Sequence, residues 1–312
     1  MAARRNASAR LRAMLEGEEI IVAPGCFSAL GARIIEQTGF AAVYVSGYGV
    51  ASHHLGRPDV GLTTMSEAVD VGSKIASATH LPVICDADTG YGNAINVMRT
   101  VEEFIKSGVA AIHLEDQVAP KRCGHVAGKQ VVSRDEAAGK IRAAARVRDE
   151  LAPDFVLIAR CDARGVAGGS LEDAIDRLKA YREAGADVAF GEGLTSEEEI
   201  ARVCEQVGGP VLYNRTGISP SVPSERLQAL GVRIVINPSG ATRAAARALW
   251  DFYAALKAED ATLEARLEAQ FHDHPIATFH EFIGFPEIRE LEKEFLPEEE
   301  SEKYKDALGF QP

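Results

Sequence analysis

Short, continuously apolar runs alternate with longer amphipathic ones along most of this chain. The short runs fall at residues 20–24, 41–46, 82–88, 110–115, 155–162, 188–192, 211–214 and 233–237. Their Val and Ile content, without polar alternation, predicts strands buried on both faces of a parallel sheet. Between them a 3.6-residue period predicts helices, among them 65–78, 94–107, 133–151, 170–184 and 196–207. Ser133 with Glu136, and Ser196 with Glu199, have the spacing of capping boxes. Gly39, Gly108 and Gly185 stand where helices should end before the next strand. Beyond residue 237 the pattern turns helical. One long helix is expected over 241–258, followed by charged helical segments at 259–270, 277–282 and 287–295 and a strongly charged end at 298–305.

Eight strands with intervening helices predict a (β/α)8 barrel over residues 1–255, close to the usual length of ~250 residues. Residues 256–312 then form a C-terminal helical extension that packs on the barrel or on a neighbouring subunit. The competing layout is an open doubly wound sheet. Polar placement separates the two. Asp86, Asp88, Glu115, Arg160, Asp162, Glu192 and Asn214 all fall at carboxyl ends of predicted strands. A barrel places its chemistry in such a ring, whereas an open sheet gathers it at one switch point. No G-x-G-x-x-G or Walker pattern marks a nucleotide site.

Composition narrows the function classes. With 46% hydrophobic and 26% charged residues, the chain reads as a soluble globular protein. A net charge of −12 argues against a general nucleic-acid binder, though arginines and a metal can reverse the field inside a cleft. No apolar run is long enough to span a bilayer. Arg4 and Arg5 make the start basic, but Arg10, Arg12, Glu16, Glu18 and Glu19 interrupt any hydrophobic segment, so no secretory signal is expected. The five cysteines are odd in number and form no CxxC pair, which favours a reducing cytoplasm and gives no zinc signature.

The candidate chemistry centres on Lys121-Arg122-Cys123-Gly124-His125, a thiol set among cations. Nearby positive charge favours thiolate, so Cys123 is expected to ionise more readily than a free cysteine. Asp86 and Asp88, two apart in an extended chain, would share a face. Two carboxylates side by side call for a cation, and Mg²⁺ suits hard oxygen ligands. Glu115 on the adjacent strand is a further ligand, direct or through water. Arg160 offers a planar fork for a carboxylate, or else a structural ion pair with Glu192 or Asp162. Ser46-Gly47-Tyr48-Gly49 offers backbone N–H groups and a hydroxyl for a carboxylate or oxyanion, or is an ordinary turn. Glu192, Asn214 and Arg243 lie near later strand ends. His113 is placed inside a strand, and the remaining histidines have no ligand spacing.

Together, Ser46-Gly47-Tyr48-Gly49, Asp59 within Gly56-Arg57-Pro58-Asp59-Val60-Gly61, Asp86-Ala87-Asp88-Thr89-Gly90-Tyr91-Gly92, Glu115-Asp116-Gln117, Lys121-Arg122-Cys123-Gly124-His125 and Ala159-Arg160-Cys161-Asp162-Ala163 resemble the isocitrate lyase and phosphoenolpyruvate mutase superfamily. The likeness runs over nearly the whole chain. The basic-Cys-Gly-His loop is similar to that of the carbon–carbon lyase branch, with its 2-methylisocitrate lyase and 2,3-dimethylmalate lyase groups. The resemblance implies a Mg²⁺-dependent barrel, with Mn²⁺ as a possible substitute, whose eighth helix swaps between paired subunits of a homotetramer. It implies that Asp86 and Asp88 hold the metal and that Glu115 contributes through water. Arg160, Ser46 and Gly47 would bind the oxo-acid part of a small carboxylate substrate. Gly124, His125, Glu192, Asn214 and Arg243 would complete its site. Cys123 would exchange a proton from a loop closing over the site. Tyr48, Asp59 and Glu192 are candidates for the base. The reaction implied is cleavage of a 2-hydroxy di- or tricarboxylate to a 2-oxo acid, with dimethylmalate cleavage or oxaloacetate hydrolysis or decarboxylation as alternatives. Phosphonate chemistry, which Cys123 disfavours, and a non-catalytic barrel are the remaining ones. Arg243 falls where the methylisocitrate group places an arginine for an extra carboxylate. The residues after His125 look more like the dimethylmalate group, and Arg215 is a second candidate for a distal carboxylate.

Overall fold

Eight parallel strands close into a barrel, each hydrogen-bonded to its neighbours in sequence order and the last to the first. The structure, a computed structural model, describes residues 7–259, 262–304 and 307–310. Residues 1–6 and Lys305, which carry part of the basic start and of the charged end, lie outside them. The strands are β1 (Ile21–Cys26), β2 (Val43–Val45), β3 (Val83–Asp86), β4 (Ala111–Glu115), β5 (Val156–Cys161), β6 (Val188–Gly191), β7 (Val211–Asn214) and β8 (Val232–Asn237). Each overlaps one of the eight apolar runs. The helices are α1 (Ala7–Glu16), α2 (Ala29–Gln37), the short α3 (Gly47–Val50), α4 (Met65–Ala78), α5 (Ala94–Ser107), α6 (Arg134–Leu151), α7 (Leu171–Glu183), α8 (Glu197–Val207), α9 (Ser224–Ala229) and α10 (Gly240–Glu259). After α10 come α11 (Thr262–Phe271), α12 (Phe279–Ile283) and α13 (Phe285–Phe295). The chain divides into two compact units between Ala245 and Ala246, inside α10. No described helix is long and apolar enough to cross a membrane.

The strands read as continuously apolar because both of their faces are buried. One set of side chains, including Val43, Val45, Val83, Cys85, Ile112, Leu157 and Val235, packs outward against the helices. The other, including Ala23, Tyr44, Ile84, Ile158, Phe190, Leu212, Ile234 and Ile236, fills the barrel. That filling makes the barrel a packed core rather than a pore.

Helix α1 was not expected from the sequence. Its Leu11 and Leu15, four apart on one helix face, join the interior cluster, and Leu11 is fully buried. Arg12 pins the helix to the amino ends of β5 and β6. It donates to the carbonyls of Asp154 and Phe155 and pairs with Asp187 at 3.0 Å. The other end of the barrel is left open for chemistry.

Helix ends depart from the expected capping boxes. Ser133 and Ser196 do accept from the backbone N–H groups of Glu136 and Glu199, each at 3.2 Å. The reciprocal half is missing at Ser196 because Glu199 turns to the N–H of Thr195 and to Arg164. Complete boxes form instead at Thr64 with Glu67 and at Asn93 with Asn96.

Leu11→Ala should leave a cavity beneath the barrel. Truncating a buried leucine costs about 2–5 kcal/mol, and urea unfolding should show that loss with an unchanged m-value. A loss below about 1 kcal/mol, a surface-like effect, would mean that α1 does not plug the barrel.

Candidate active site

A cavity of about 320 Å³ opens at the carboxyl ends of the strands. Eleven of the residues singled out in the sequence line it: Ser46, Tyr48, Asp59, Asp86, Cys123, Gly124, His125, Arg160, Glu192, Asn214 and Arg243. Parallel pairing explains the convergence. Register sets Asp86 beside His113 on β4, and Glu115 beside Arg160 on β5. Glu192 follows β6, Asn214 ends β7, and Arg243 stands in the first turn of α10 after β8.

Gly47, Asp88 and Glu115 do not line the cavity. The N–H of Gly47 donates to Asp86 Oδ2 at 3.2 Å. The expected pairing of Asp86 and Asp88 on one face assumed extended backbone. Asp88 instead has φ of 46°, a left-handed conformation. Its carboxylate turns to Lys121 at 2.9 Å, while Asp86 faces the cavity. Lys121 also pairs with Asp59 at 2.6 Å. Its place as the centre of this ion-pair group was not read from the sequence.

The charges around Lys121 are unevenly matched. Burial pushes Asp88 up to about 7, helped by Asp86 and Asp59 and opposed by Lys121. Burial likewise raises Glu115 well above the ordinary carboxylate range. Among the described residues neither Glu115 oxygen has a hydrogen-bond partner, and Arg160 Nη1 lies 3.3 Å from Oε2. Asp86 goes the other way. Burial disfavours its charge, but nearby positive groups hold it down at about 2. Burial keeps His113 neutral, with a pKa of about 4, so at neutral pH Lys121 and Arg160 supply that field.

These residues fit a divalent cation. Among the described residues no three His, Cys, Asp or Glu side chains converge as a ready ligand set. Mg²⁺ keeps several waters and needs only one or two protein carboxylates. An ionised Asp86 facing the cavity, with the unpartnered oxygens of Glu115 behind it, meets that need.

Arg160 combines both roles weighed from the sequence. Its Nε and Nη2 grip Asp162 at 2.8 and 3.0 Å, and Nη2 lies 3.6 Å from Glu192. The same guanidinium also lines the cavity.

Cys123, Gly124 and His125 ride on the loop between β4 and α6, and that loop sits down on the cavity. The N–H of Cys123 donates to the Asp59 carbonyl at 3.0 Å. His125 Nε2 lies 2.9 Å from Asn214 Nδ2 and 3.4 Å from Glu192. A side chain at position 124 would run into Arg160 and Glu192, so this close seating requires glycine.

The expectation of an easily ionised Cys123 is corrected. Burial raises its pKa, and Asp59 adds to the rise. The His125 backbone, Arg160 and Lys121 only partly oppose it. The flanking cations of the sequence are spent elsewhere, Lys121 on Asp59 and Asp88. Arg215 donates to Ser224 at 2.7 Å and does not line the cavity. Tyr44, Phe190, Thr216 and Ser239 also line it and were missed. Tyr44 and Phe190 read as ordinary strand core, and nothing in their spacing distinguishes them.

The family model for phosphoenolpyruvate phosphomutase matches residues 11–257. A 2,3-dimethylmalate lyase of Eubacterium barkeri is 44% identical over 295 residues, 93% of this chain and 98% of that protein. A 2-methylisocitrate lyase of Shewanella oneidensis is 44% identical over 245 residues, 78% of this chain and 82% of that protein. The structure of an oxaloacetate acetylhydrolase with the inhibitor 3,3-difluorooxalacetate superposes with a TM-score of 0.83 at 37% identity, covering 93% of this chain and 97% of the other.

With its pKa raised, Cys123 should react with iodoacetamide at a rate that keeps climbing past about pH 9, beyond the ordinary thiol value of ~8.5. Mass spectrometry resolves the site. A rate that levels off below about pH 8 would mark a stabilised thiolate and contradict the burial argument.

Proposed function

The chain belongs to the phosphoenolpyruvate mutase and isocitrate lyase superfamily, and we propose that it is a carbon–carbon lyase cleaving a 2-hydroxy di- or tricarboxylate to a 2-oxo acid and a second carboxylate. One observation carries this reading: Cys123, on the β4–α6 loop, shares a single cavity with Asp86 and Arg160.

Asp86 would hold Mg²⁺ with Glu115 behind it, and the ion would supply Lewis-acid polarisation of the substrate's oxygens. Arg160 brings positive charge to the substrate's carboxylate and to the alkoxide left when its hydroxyl is deprotonated, before the bond breaks. Tyr48, Asp59 and Glu192 all face the cavity as candidate acceptors of the substrate's hydroxyl proton. Asp59 is already engaged by Lys121. Cleavage leaves the other fragment as a carbanion, which needs a proton. A thiol whose pKa is raised by burial is protonated at neutral pH, the state a donor requires. The corrected charge state of Cys123 thus supports the acid role better than a ready thiolate would.

Arg243 supports a tricarboxylate. It lines the cavity, is exposed, and has no side-chain ion pair among the described residues. The nearly full-length likeness to a 2,3-dimethylmalate lyase supports a dicarboxylate instead. The exposed Leu249, Trp250, Tyr253 and Leu256 of α10 support the accompanying reading of a homotetramer paired through this helix.

The direct test is a panel of methylisocitrate, isocitrate, dimethylmalate and oxaloacetate, with detection of pyruvate and glyoxylate. Chelator should abolish turnover and Mg²⁺ or Mn²⁺ should restore it. Cys123→Ser should lower turnover of the best substrate about 10²–10⁴-fold, the usual contribution of a general acid. Near-full activity in the serine variant would remove Cys123 from the proton transfer.

Arg243→Ala separates the two substrate classes. A hydrogen bond to a charged group is worth about 1.5–3 kcal/mol. Cleavage of methylisocitrate should therefore fall roughly 10- to 100-fold in kcat/KM, with dimethylmalate and oxaloacetate little changed. Equal loss on all three would give Arg243 a purely structural role.

A further inference from the structure

One buried cation at the mouth of the barrel has no part in the chemistry above. Lys129 lies on the β4–α6 loop, six residues after Cys123, and its side chain is only 1% exposed. Its ammonium pairs with Asp162 Oδ1 at 2.9 Å and donates to the backbone carbonyl of Gly124. Asp162 is fully buried, and its same oxygen accepts from Arg160 Nη2 at 3.0 Å. Asp162 Oδ2 accepts from Arg160 Nε at 2.8 Å. Below, the N–H of Asp162 donates to Asp116 Oδ1 at 2.8 Å, and Tyr181 donates to Asp116 Oδ2 at 2.8 Å. The backbone of Asp162 is thus anchored from beneath, and its carboxylate, which aims Arg160, is shared with Lys129.

We propose that Lys129 is a positioning residue that latches the Cys123–Gly124–His125 segment over the cavity and, through Asp162, sets the orientation of Arg160. It rests on the lyase reading only for the consequence in turnover.

Three features argue for a latch over incidental packing. An ammonium is a compact charge with three donors, and here it joins a loop carbonyl to a barrel carboxylate. The loop is also held by Lys121 on Asp59 and Asp88, by the Cys123 N–H on the Asp59 carbonyl and by His125 beside Asn214 and Glu192, and Lys129 adds the hold on Gly124, the residue between Cys123 and His125. Its neck is paired by Val118 to Gln130 and by Val132 to Asp116, while its tip carries the thiol. Burying a charge is tolerated only when it is paired, so Lys129 and Asp162 favour the seated loop over any arrangement that separates them. Seating also presses Gly124 against Arg160. One ammonium therefore ties together the neighbour of the proton donor and the anchor of the anion-binding fork.

The test compares Lys129→Met and Lys129→Gln with the unmutated enzyme, using site-resolved iodoacetamide labelling of Cys123 and limited proteolysis of residues 118–132. Losing the latch should speed labelling of Cys123 by roughly 10-fold or more, as a locally opened segment does. It should also open the loop to cleavage while the far-UV circular dichroism is kept. Turnover should fall about 10²-fold through misplacement of the reacting groups, with KM for the carboxylate rising as Arg160 loses its aim. Unchanged labelling and proteolysis in a folded variant overturns the latch whatever happens to turnover. Faster labelling in the variants, where the unmutated enzyme itself cleaves no substrate of the panel, upholds the latch and sinks the lyase reading. Acetylation of the unmutated enzyme provides a check that needs no variant. Lys129 should resist acetylation while the exposed Lys74 and Lys106 react, and equal reactivity overturns the proposal.

Discussion

The active end of this barrel is organised around Lys121. Its ammonium binds Asp59 from the β2–α4 connection and Asp88 from the turn after β3, and it lies within the field of Asp86 and Glu115. Burial works against its charge, yet the surrounding carboxylates raise its affinity for the proton. Without that cation, Asp59 and Asp88 would be buried charges lacking their shared partner, which proteins rarely tolerate. Even with it the carboxylates remain in excess, and burial, with neighbouring carboxylates adding to it, raises Glu115 and Asp88 toward their protonated forms. A site left short of positive charge in this way suits a divalent cation and an anionic substrate held by arginine.

Lys121 also explains why Cys123 behaves as it does. They stand two positions apart in sequence, and proximity alone suggests a cation activating a thiol. In the folded chain the lysine turns to Asp59 and Asp88, the Cys123 N–H donates to the Asp59 carbonyl, and the thiol is partly buried. The same basic segment therefore serves two purposes, charge balance beneath the cavity and a protonated thiol above it.

The barrel was legible because parallel strands covered on both sides need continuous apolar runs, and eight such runs at regular intervals leave few layouts. The ring of Asp86, Glu115, Arg160, Glu192 and Asn214 was legible for a related reason, since charged residues ending a buried strand need a purpose. Backbone conformation was not legible. The left-handed turn at Asp88 separates it from Asp86, and although Gly90 and Gly92 mark a turn nearby, they do not say that Asp88 itself takes a positive φ. Partner choice was equally hidden. Glu199 had the spacing of a capping residue, but Arg164 and the Thr195 backbone claim it. Lys129 is one lysine among many in the sequence, and only folding brings it to a carboxylate that closes the loop.

Helix α1 carries a consequence for the traffic of molecules. Leu11 and Leu15 seal the amino end of the barrel, and stacked side chains fill the middle, so among the described residues the cavity opens toward the carboxyl ends of the strands. If the two fragments of the proposed cleavage are born side by side in a space of about 320 Å³, both must pass the loop that carries Cys123. Whichever lay deeper would wait behind the other, standing where the next guest must go.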